Sequence, residues 1–367
     1  MTGSIETARV LAGLTLVRRA LCVRNPDLLE ARSPPPAMYQ VGIVGCGVIG
    51  SRLATAFDEH ERTEIRVVCD RVARKAESMA DEYDCEAVTD VDELVAIDAV
   101  DVVYVGVPPK HHAAVVRAAL DADTHVICEK PIAENAAVGH ELTDLARESD
   151  RTTAINFPFR YTPGFVDMRE RIVAGEIGTP KRVSLHFRFP QWPREWQDVD
   201  WLAGREQGGP LREVGSHFVF GTQELFGAIG DVTADVRYTG PETYEESIVG
   251  TFQAGVESDV ELTGTVAVDE PVHGTIDLLC DCAGSEANAI TVEGTEGSLS
   301  LQAWRRLVAD PGEETERVLT EDPGETTLTL VDEFVTALDG GDGDLVSVAE
   351  ATRVQAVVDA VLGIDAD

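Results

Sequence analysis

Lys130 and His217 are the two side chains of this 367-residue sequence best placed to handle a proton and a developing charge on oxygen. Lys130 stands in Glu129-Lys130-Pro131, directly after an apolar run, 125–128, that reads as a buried strand. Ligands of open α/β sheets bind at the carboxyl ends of strands, so a lysine there points toward the ligand crevice. The chain has only four lysines (75, 110, 130 and 181), and one that follows a buried strand is not ordinary surface decoration. His217 closes the stretch Gly208-Gly209-Pro210-Leu211-Arg212-Glu213-Val214-Gly215-Ser216-His217. An imidazole titrates near neutrality and can take the proton of a hydroxyl as hydride leaves the same carbon. Glu213 lies four residues earlier, on the same face of a helix, where a carboxylate could orient the ring or a substrate hydroxyl and stabilise the imidazolium.

A departing hydride needs an acceptor, and Gly45-Cys46-Gly47-Val48-Ile49-Gly50 is spaced to hold one. The motif sits between an apolar strand, 40–44, and a helical run, 51–60, and Asp70 follows at the end of the strand 65–69. In a dinucleotide site Gly45 makes the tight turn, Gly47 lets the backbone approach the pyrophosphate, and Gly50 allows close helix–strand packing. The helix N-terminus, at Val48 and Ile49, then faces the phosphates. Asp70 would accept hydrogen bonds from the adenosine ribose, which favours NAD. Arg71 beside it could pair with a 2′-phosphate, which leaves NADP open.

The elements that must hold these residues follow from the apolar pattern. Runs 40–44, 65–69, 100–107 and 125–128 are near-continuously apolar, with amphipathic stretches 72–83, 111–120 and 135–148 between them. Buried strands alternating with helices predict an α/β unit, a doubly wound parallel sheet of Rossmann type over 38–157. Beyond Asn156 the period changes to two: Val183, Leu185, Phe187 and Phe189 alternate with Arg182, Ser184, His186 and Arg188. Val232/Ala234/Val236/Tyr238 and Val260/Leu262/Val266/Val268 alternate likewise, and 275–282, 289–293 and 298–302 look similar. An α+β domain over 158–340 is therefore expected, built on a large, mostly antiparallel open sheet with one face against helices. Ser347-Val-Ala-Glu350 reads as a capping box, and the helix it opens, within 341–367, is expected to dock back on the first domain. Trp192, Trp196 and Trp201 crowd the loop 189–201, which could cover a pocket and stack on a sugar-like ring or fill a subunit interface.

Composition narrows the setting. The chain is 44% hydrophobic, enough for ordinary cores, and carries 66 Asp+Glu against 30 Lys+Arg, a net charge of −36. Such a surface repels phosphate backbones and anionic headgroups, so nucleic-acid and membrane-surface roles are not expected. No apolar run approaches the roughly 20 residues needed to span a bilayer. An acidic, lysine-poor surface self-repels in dilute buffer, whereas in molar salt the Debye length falls to roughly 3 Å and screens it. This points to the cytoplasm of a high-salt cell. Seven cysteines, scattered through apolar segments, argue against a disulfide framework, and Cys280-Asp-Cys282 lacks a second pair at metal-ligand spacing. No metal site is expected. Residues 1–37 differ from the rest: five Arg and three acids give +2, and the segment ends in a Pro-rich breaker before Met38. They read as a disordered tail or as an extension ahead of the true start at Met38.

Taken together the motifs resemble the Gfo/Idh/MocA family of nicotinamide-dependent oxidoreductases. The resemblance runs from about Tyr39 to the last helix. Beyond the glycine motif, Asp70 and Glu129-Lys130-Pro131, it rests on Val107-Pro108-Pro109-Lys110-His111-His112, Arg160-Tyr-Thr-Pro163, Gly175-Glu-Ile-Gly178 and Glu213…His217. It implies that Lys130, Glu213 and His217 surround the reacting hydroxyl and that Pro108, His112 and Glu129 lie with the cofactor. Arg160, Trp192 and Trp196 would then be substrate contacts. The family usually has Asp where this chain has Glu213, which places the carboxylate one bond further out. The resemblance also implies a homodimer or homotetramer through the second sheet. The expected activity is hydride transfer between a secondary alcohol of a sugar, polyol or cyclitol and NAD or NADP. Two other readings share the fold: a non-catalytic sensor that binds nucleotide and sugar, and an NAD-dependent glycoside hydrolase. A sensor has no need of Lys130 and His217.

Overall fold

Strand polarity and burial separate the chain into two sheets. The computed structural model describes residues 38–197, 199–257 and 264–364. The charged N-terminal segment and the alternating positions Val260 and Leu262 lie outside them.

The first sheet is all parallel, in the order β3-β2-β1-β4-β5-β6. Its strands are β1 (Tyr39–Val44), β2 (Thr63–Cys69), β3 (Glu86–Val88), β4 (Val102–Val105), β5 (His125–Glu129) and β6 (Thr153–Asn156). The helices α1 (Val48–Glu59), α2 (Ala73–Tyr83), α3 (Val91–Val95), α4 (His112–Asp121) and α5 (Ala136–Glu148) alternate with them. All four residues of β4 are buried, which is why the strands read as continuous apolar runs rather than as an alternation. Strand order reverses between β1 and β4, and that reversal opens the crevice at their carboxyl ends.

The second sheet has the order β14-β13-β12-β11-β7-β10-β9-β8 and is antiparallel except for the β7–β10 pair. Its strands are β7 (Pro180–Phe189), β8 (Ile229–Tyr238), β9 (Glu245–Ala254), β10 (Val272–Cys280), β11 (Ala287–Gly294), β12 (Ser298–Gln302), β13 (Arg306–Ala309) and β14 (Arg317–Glu321). Two expectations are corrected here. Val266 and Val268 are not on a strand, and the amides of Thr265 and Val266 instead bond to the carbonyls of Glu224 and Leu225. The alternation also missed β9, β13 and β14, and in β9 the inward positions include Glu245 and Gly250 and so break the apolar pattern. A Cβ on Gly274 would meet the Phe252 ring at 2.0 Å, so a glycine of β10 is covered by an aromatic from β9.

The helices α6 (Pro163–Val173), α7 (Ser216–Phe226), α8 (Thr326–Leu338) and α9 (Val348–Leu362) complete the chain. Every residue of α7 except Glu224 is buried, because the helix lies between the second sheet, where Phe218 meets Phe187 edge-on at 4.9 Å, and the loop after β6, where Phe220 stacks on Phe157 at 4.8 Å. The helix α8, expected within the second domain, instead packs on α1, and its Leu330, Val331 and Phe334 share a core with Leu53 and Phe57. The helix α9 opens with the expected Ser347–Glu350 capping box. It packs against α5 and also against β8 and α7, so it joins both sheets. No helix among the described residues is long and apolar enough to cross a membrane.

Arg160, expected to touch substrate, is a structural staple. Its side chain is buried among three carboxylates, Glu350 (2.7 Å), Asp344 (2.8 Å) and Glu224 (3.2 Å), and its guanidinium lies 5.5 Å from the Phe220 ring centre. Burial opposes its charge, but the three acids outweigh that and hold its pKa above the ordinary arginine value. Both terminal nitrogens of the guanidinium are thereby committed to acids of the fold rather than to a substrate. Arg160→Ala should cost about 1–3 kcal/mol, since it removes the cation shared by three acids. Of these, Glu224 is nearly buried but keeps Arg169, while Asp344 is half exposed. The measurement is the urea midpoint, and a midpoint equal to wild type would mean that the cluster is solvated.

Candidate active site

The glycine motif is built as a nucleotide cradle. Gly45 turns the chain after β1 with a φ of 105°, and a Cβ there would come within 2.4 Å of Gly106 O. A Cβ on Gly50 would lie 1.9 Å from Gly45 O, so glycine lets α1 pack against the turn. Gly47 is the exception, because a Cβ there would meet nothing within 4 Å. Its backbone faces open space at the start of α1, where no side chain caps the helix and no acid occupies the first turn. The amides of Val48 and Ile49 thus lack intrahelical partners and form a site for an anion. Asp70 Oδ2 accepts from Cys46 N (3.0 Å) and Oδ1 from Val72 N (2.8 Å), which ties the end of β2 to the cradle. Arg71 is exposed beside it, and Pro108 is half-buried after β4. An open backbone, free helix amides and a carboxylate at the second strand fit a dinucleotide.

The second half of the site reaches across from the other sheet. Lys130 closes β5, and its Nζ donates to both Glu213 O (2.7 Å) and Glu213 Oε2 (2.8 Å). Its peptide bond to Pro131 is cis. Glu213 lies in a π-helical turn, Leu211–Gly215, that runs directly into α7. Such a turn closes i→i+5 bonds, and the Glu213 carboxylate it carries bonds Lys130 while His217 Nδ1 has no partner. Glu213 was expected to orient the histidine or a substrate hydroxyl; here its carboxylate bonds Lys130 instead. Gln197 Nε2 donates to Glu213 Oε1 (3.3 Å), and Arg194 Nη2 lies 3.7 Å from the same oxygen.

His217 occupies the first turn of α7 and is 6% exposed. Aromatic rings enclose it, with Trp304 at 4.9 Å, Phe157 at 5.6 Å and Phe159 at 6.2 Å between centroids. Its Nδ1 has no hydrogen-bond partner. Burial first, and then the positive charges of Lys130 and Arg194, hold the imidazole well below its ordinary pKa of 6.5. The ring is therefore neutral at pH 7 and able to receive a proton.

Several expected site residues do other work. His112 is completely buried, with Nδ1 2.8 Å from Pro131 O and Nε2 2.7 Å from Val107 O. It fastens the loop after β4 to the loop after β5 and has no surface for a cofactor. Burial pushes its pKa down to about 4 against the pull of those carbonyls. Glu129 Oε1 accepts from Tyr104 Oη (2.9 Å) and Asn156 Nδ2 (2.7 Å), which leaves at most Oε2 for a ligand. Trp192 is a core residue, packed on Phe189 and donating to Leu202 O at 3.0 Å, so it cannot stack on substrate. Trp196 is half exposed, with Arg194 4.8 Å and Arg52 of α1 5.8 Å from its ring centre. It spans from the tryptophan loop to the helix that starts at the cradle. Arg194, Gln197 and Trp304 were not singled out from the sequence. The first two lie within the tryptophan loop, whose composition was the only local signal. Trp304 sits with Ala303 in a β12–β13 turn of left-handed backbone (φ 69° and 47°), and nothing in the sequence nearby marks it as a neighbour of His217.

The same architecture occurs in known proteins. Residues 39–157 match a family described as "Oxidoreductase family, NAD-binding Rossmann fold", and 165–300 match the "GFO/IDH/MocA C-terminal domain". The chain is 30% identical over 264 residues to dTDP-3,4-didehydro-2,6-dideoxy-alpha-D-glucose 3-reductase of Streptomyces violaceoruber, spanning 71% of this chain and 72% of that one. It is 26% identical to D-xylose 1-dehydrogenase (NADP(+)) 2 of Haloferax volcanii, over 87% of this chain and 95% of the other. Among solved structures, GenD2 from gentamicin A biosynthesis, in complex with NAD, shares the fold with a TM-score of 0.73 at 24% identity, over 91% of this chain and 96% of that one. Two consecutive domain matches and a relative aligned over most of its length lead to one assignment: the chain belongs to the GFO/IDH/MocA family of oxidoreductases.

Proposed function

We propose that the protein is an NAD(P)-dependent dehydrogenase acting on a secondary alcohol of a sugar, polyol or cyclitol. One observation carries this reading: Lys130 from the parallel sheet bonds to Glu213 on the turn leading to α7, one helical turn before a buried, neutral His217. Two of the relatives named above act on sugars, by their names.

When bound, the nicotinamide supplies the hydride acceptor, or the donor in the reverse direction. The amides at Gly47, Val48 and Ile49 would hold the pyrophosphate, and Asp70 the adenosine ribose. An ammonium has three protons, and two of those on Lys130 are directed at Glu213. The third is free to donate to the carbinol oxygen and stabilise charge that gathers there. Glu213, steadied by Gln197 and Arg194, positions Lys130 rather than His217. His217 takes the hydroxyl proton, and its ring of aromatics keeps water from competing for it. Trp196, beside the cradle, remains a candidate substrate contact.

NAD is the preferred cofactor in this reading, because the Asp70 carboxylate repels a 2′-phosphate. Arg71 is the residue that could relax the preference, and the Haloferax relative is named for NADP(+). The acidic surface suits the cytoplasm of a high-salt cell. The open face of the second sheet carries paired polar side chains such as Arg188 and Asp277 (2.9 Å), and it is the face through which a homodimer or homotetramer would form.

His217→Ala should lower kcat by roughly 10²–10⁴-fold with cofactor affinity kept, in assays that follow reduced nicotinamide with aldoses, polyols and inositols. A kcat near wild type would remove the base assignment. Because His217 is held neutral far below pH 6.5, the acid limb of kcat/KM should also fall well below 6.5. A limb at 6.5 or above would mean that another group is titrating. Raising KCl from 0.1 to 3 M, on the order of full screening, should raise the melting temperature, and a salt-independent value would refute the high-salt reading.

A further inference from the structure

The turn that carries Glu213 rests on a buried acid that the proposed chemistry does not use. Glu245, the first residue of β9, is completely buried, and neither of its carboxylate oxygens has a partner at full bonding geometry, although its own amide and that of Leu211 point toward it. It lies directly beneath the turn. A Cβ on Gly209 would come within 2.3 Å of Glu245 Oε2, and Gly209 O accepts from Glu213 N at 3.1 Å. Arg212, on the same turn and also buried, is the cation opposite this acid. Its Nη1 nevertheless donates to the carbonyls of Arg205 (3.0 Å) and Gly208 (3.4 Å), and its Nε has no partner. An acid and a guanidinium, both out of water, therefore face each other unbonded, while the guanidinium holds the carbonyls at the entrance to the turn.

We propose that Glu245 is a positioning residue whose charge sets the turn. As a neutral acid it leaves Arg212 on the carbonyls of Arg205 and Gly208, so that 209–213 presents Glu213 to Lys130. As a carboxylate it draws Arg212 off those carbonyls and displaces the turn. Lys130 bonds both the main-chain oxygen and the carboxylate of Glu213, so a shift of the turn disturbs both contacts together.

The surroundings support the required titration. Burial pushes Glu245 up to about 7, against the pull of Arg212, its own amide and that of Leu211, and Arg205. Tyr238 of β8 and Cys280 of β10 also face it, and burial raises both, so neither ionises near neutrality. Asp359 of α9 is a second acid that acts on Arg212, with its oxygens bonded to Ala136 N and Gln355 Nε2, each at 2.7 Å. A carboxyl whose folded pKa lies above its unfolded value of 4.5 adds stability at low pH, and that stability is lost as pH rises through about 7.

The test compares full-length wild type with Glu245→Gln, a near-isostere that cannot ionise, in molar KCl at pH 6 and pH 8. Hydrogen exchange of the peptide 208–217, corrected for the intrinsic pH dependence, should be about tenfold faster at pH 8 in wild type, one unit above a pKa of about 7. It should be pH-independent in the variant. Equal corrected rates in wild type, or a change that persists in Glu245→Gln, would overturn the assignment. The kinetic arm rests on the dehydrogenase reading. There kcat should fall about tenfold from below pH 7 to pH 8 in wild type and stay level in Glu245→Gln, with KM for the dinucleotide unchanged in both. A high-pH limb that survives the substitution also overturns it. If wild type oxidises no alcohol tested, the functional reading fails, and the exchange measurement still decides the role of Glu245.

Discussion

The contact between Lys130 and Glu213 joins the end of a strand in the parallel sheet to the turn that begins the central helix of the second half, 83 residues later. Neither residue reaches the other through local structure. The lysine is fixed because β5 is buried and paired on both sides, and the glutamate because its turn runs into a helix buried on nearly every face. A partly buried ion pair of this kind adds little net stability, since desolvation offsets most of the Coulomb gain. What it provides is register: an ammonium held at one point above the crevice, with one proton left uncommitted.

Water exclusion is the second condition on which the chemistry depends. His217 is useful as a base only if it is neutral, and three aromatic rings together with two nearby cations keep it so. The packing that excludes solvent is the packing that holds α7 against the second sheet, through Phe218 on Phe187 and Phe220 on Phe157. Core and site are therefore one structure here. Any change that loosens α7 alters the electrostatics of the imidazole as well as the fold.

The cofactor half was legible in the sequence because its requirements are local. A tight turn at Gly45, an open backbone at Gly47 and helix packing at Gly50 are each provided by a glycine within six residues: Gly45 has a positive φ, Gly50 sits against the turn, and Gly47 faces open space. The substrate half was legible only in part. Arg160, His112 and Trp192 have side chains that could do chemistry, yet each is engaged by another segment: Arg160 by Glu350, His112 by Pro131, Trp192 by Leu202. A buried polar group must be paired, and from the sequence a group paired for structure looks the same as one held for function. The strand β9 escaped notice for a related reason, since its inward positions carry a glycine and an acid instead of an apolar run.

By itself the sequence determined the class of fold, the nucleotide cradle and the presence of a lysine and a histidine at chemically useful points. These follow from strand and helix periods and from glycine's lack of a Cβ, which are properties of short segments. The tertiary structure alone decided that Glu213 bonds Lys130, that Trp304 lies against the imidazole, and that Glu245 is buried against the turn of Glu213 while Arg212 bonds main-chain carbonyls. Those outcomes depend on which strands lie side by side and on how far each group is removed from water. Both are properties of the packed whole, which no window along the chain contains.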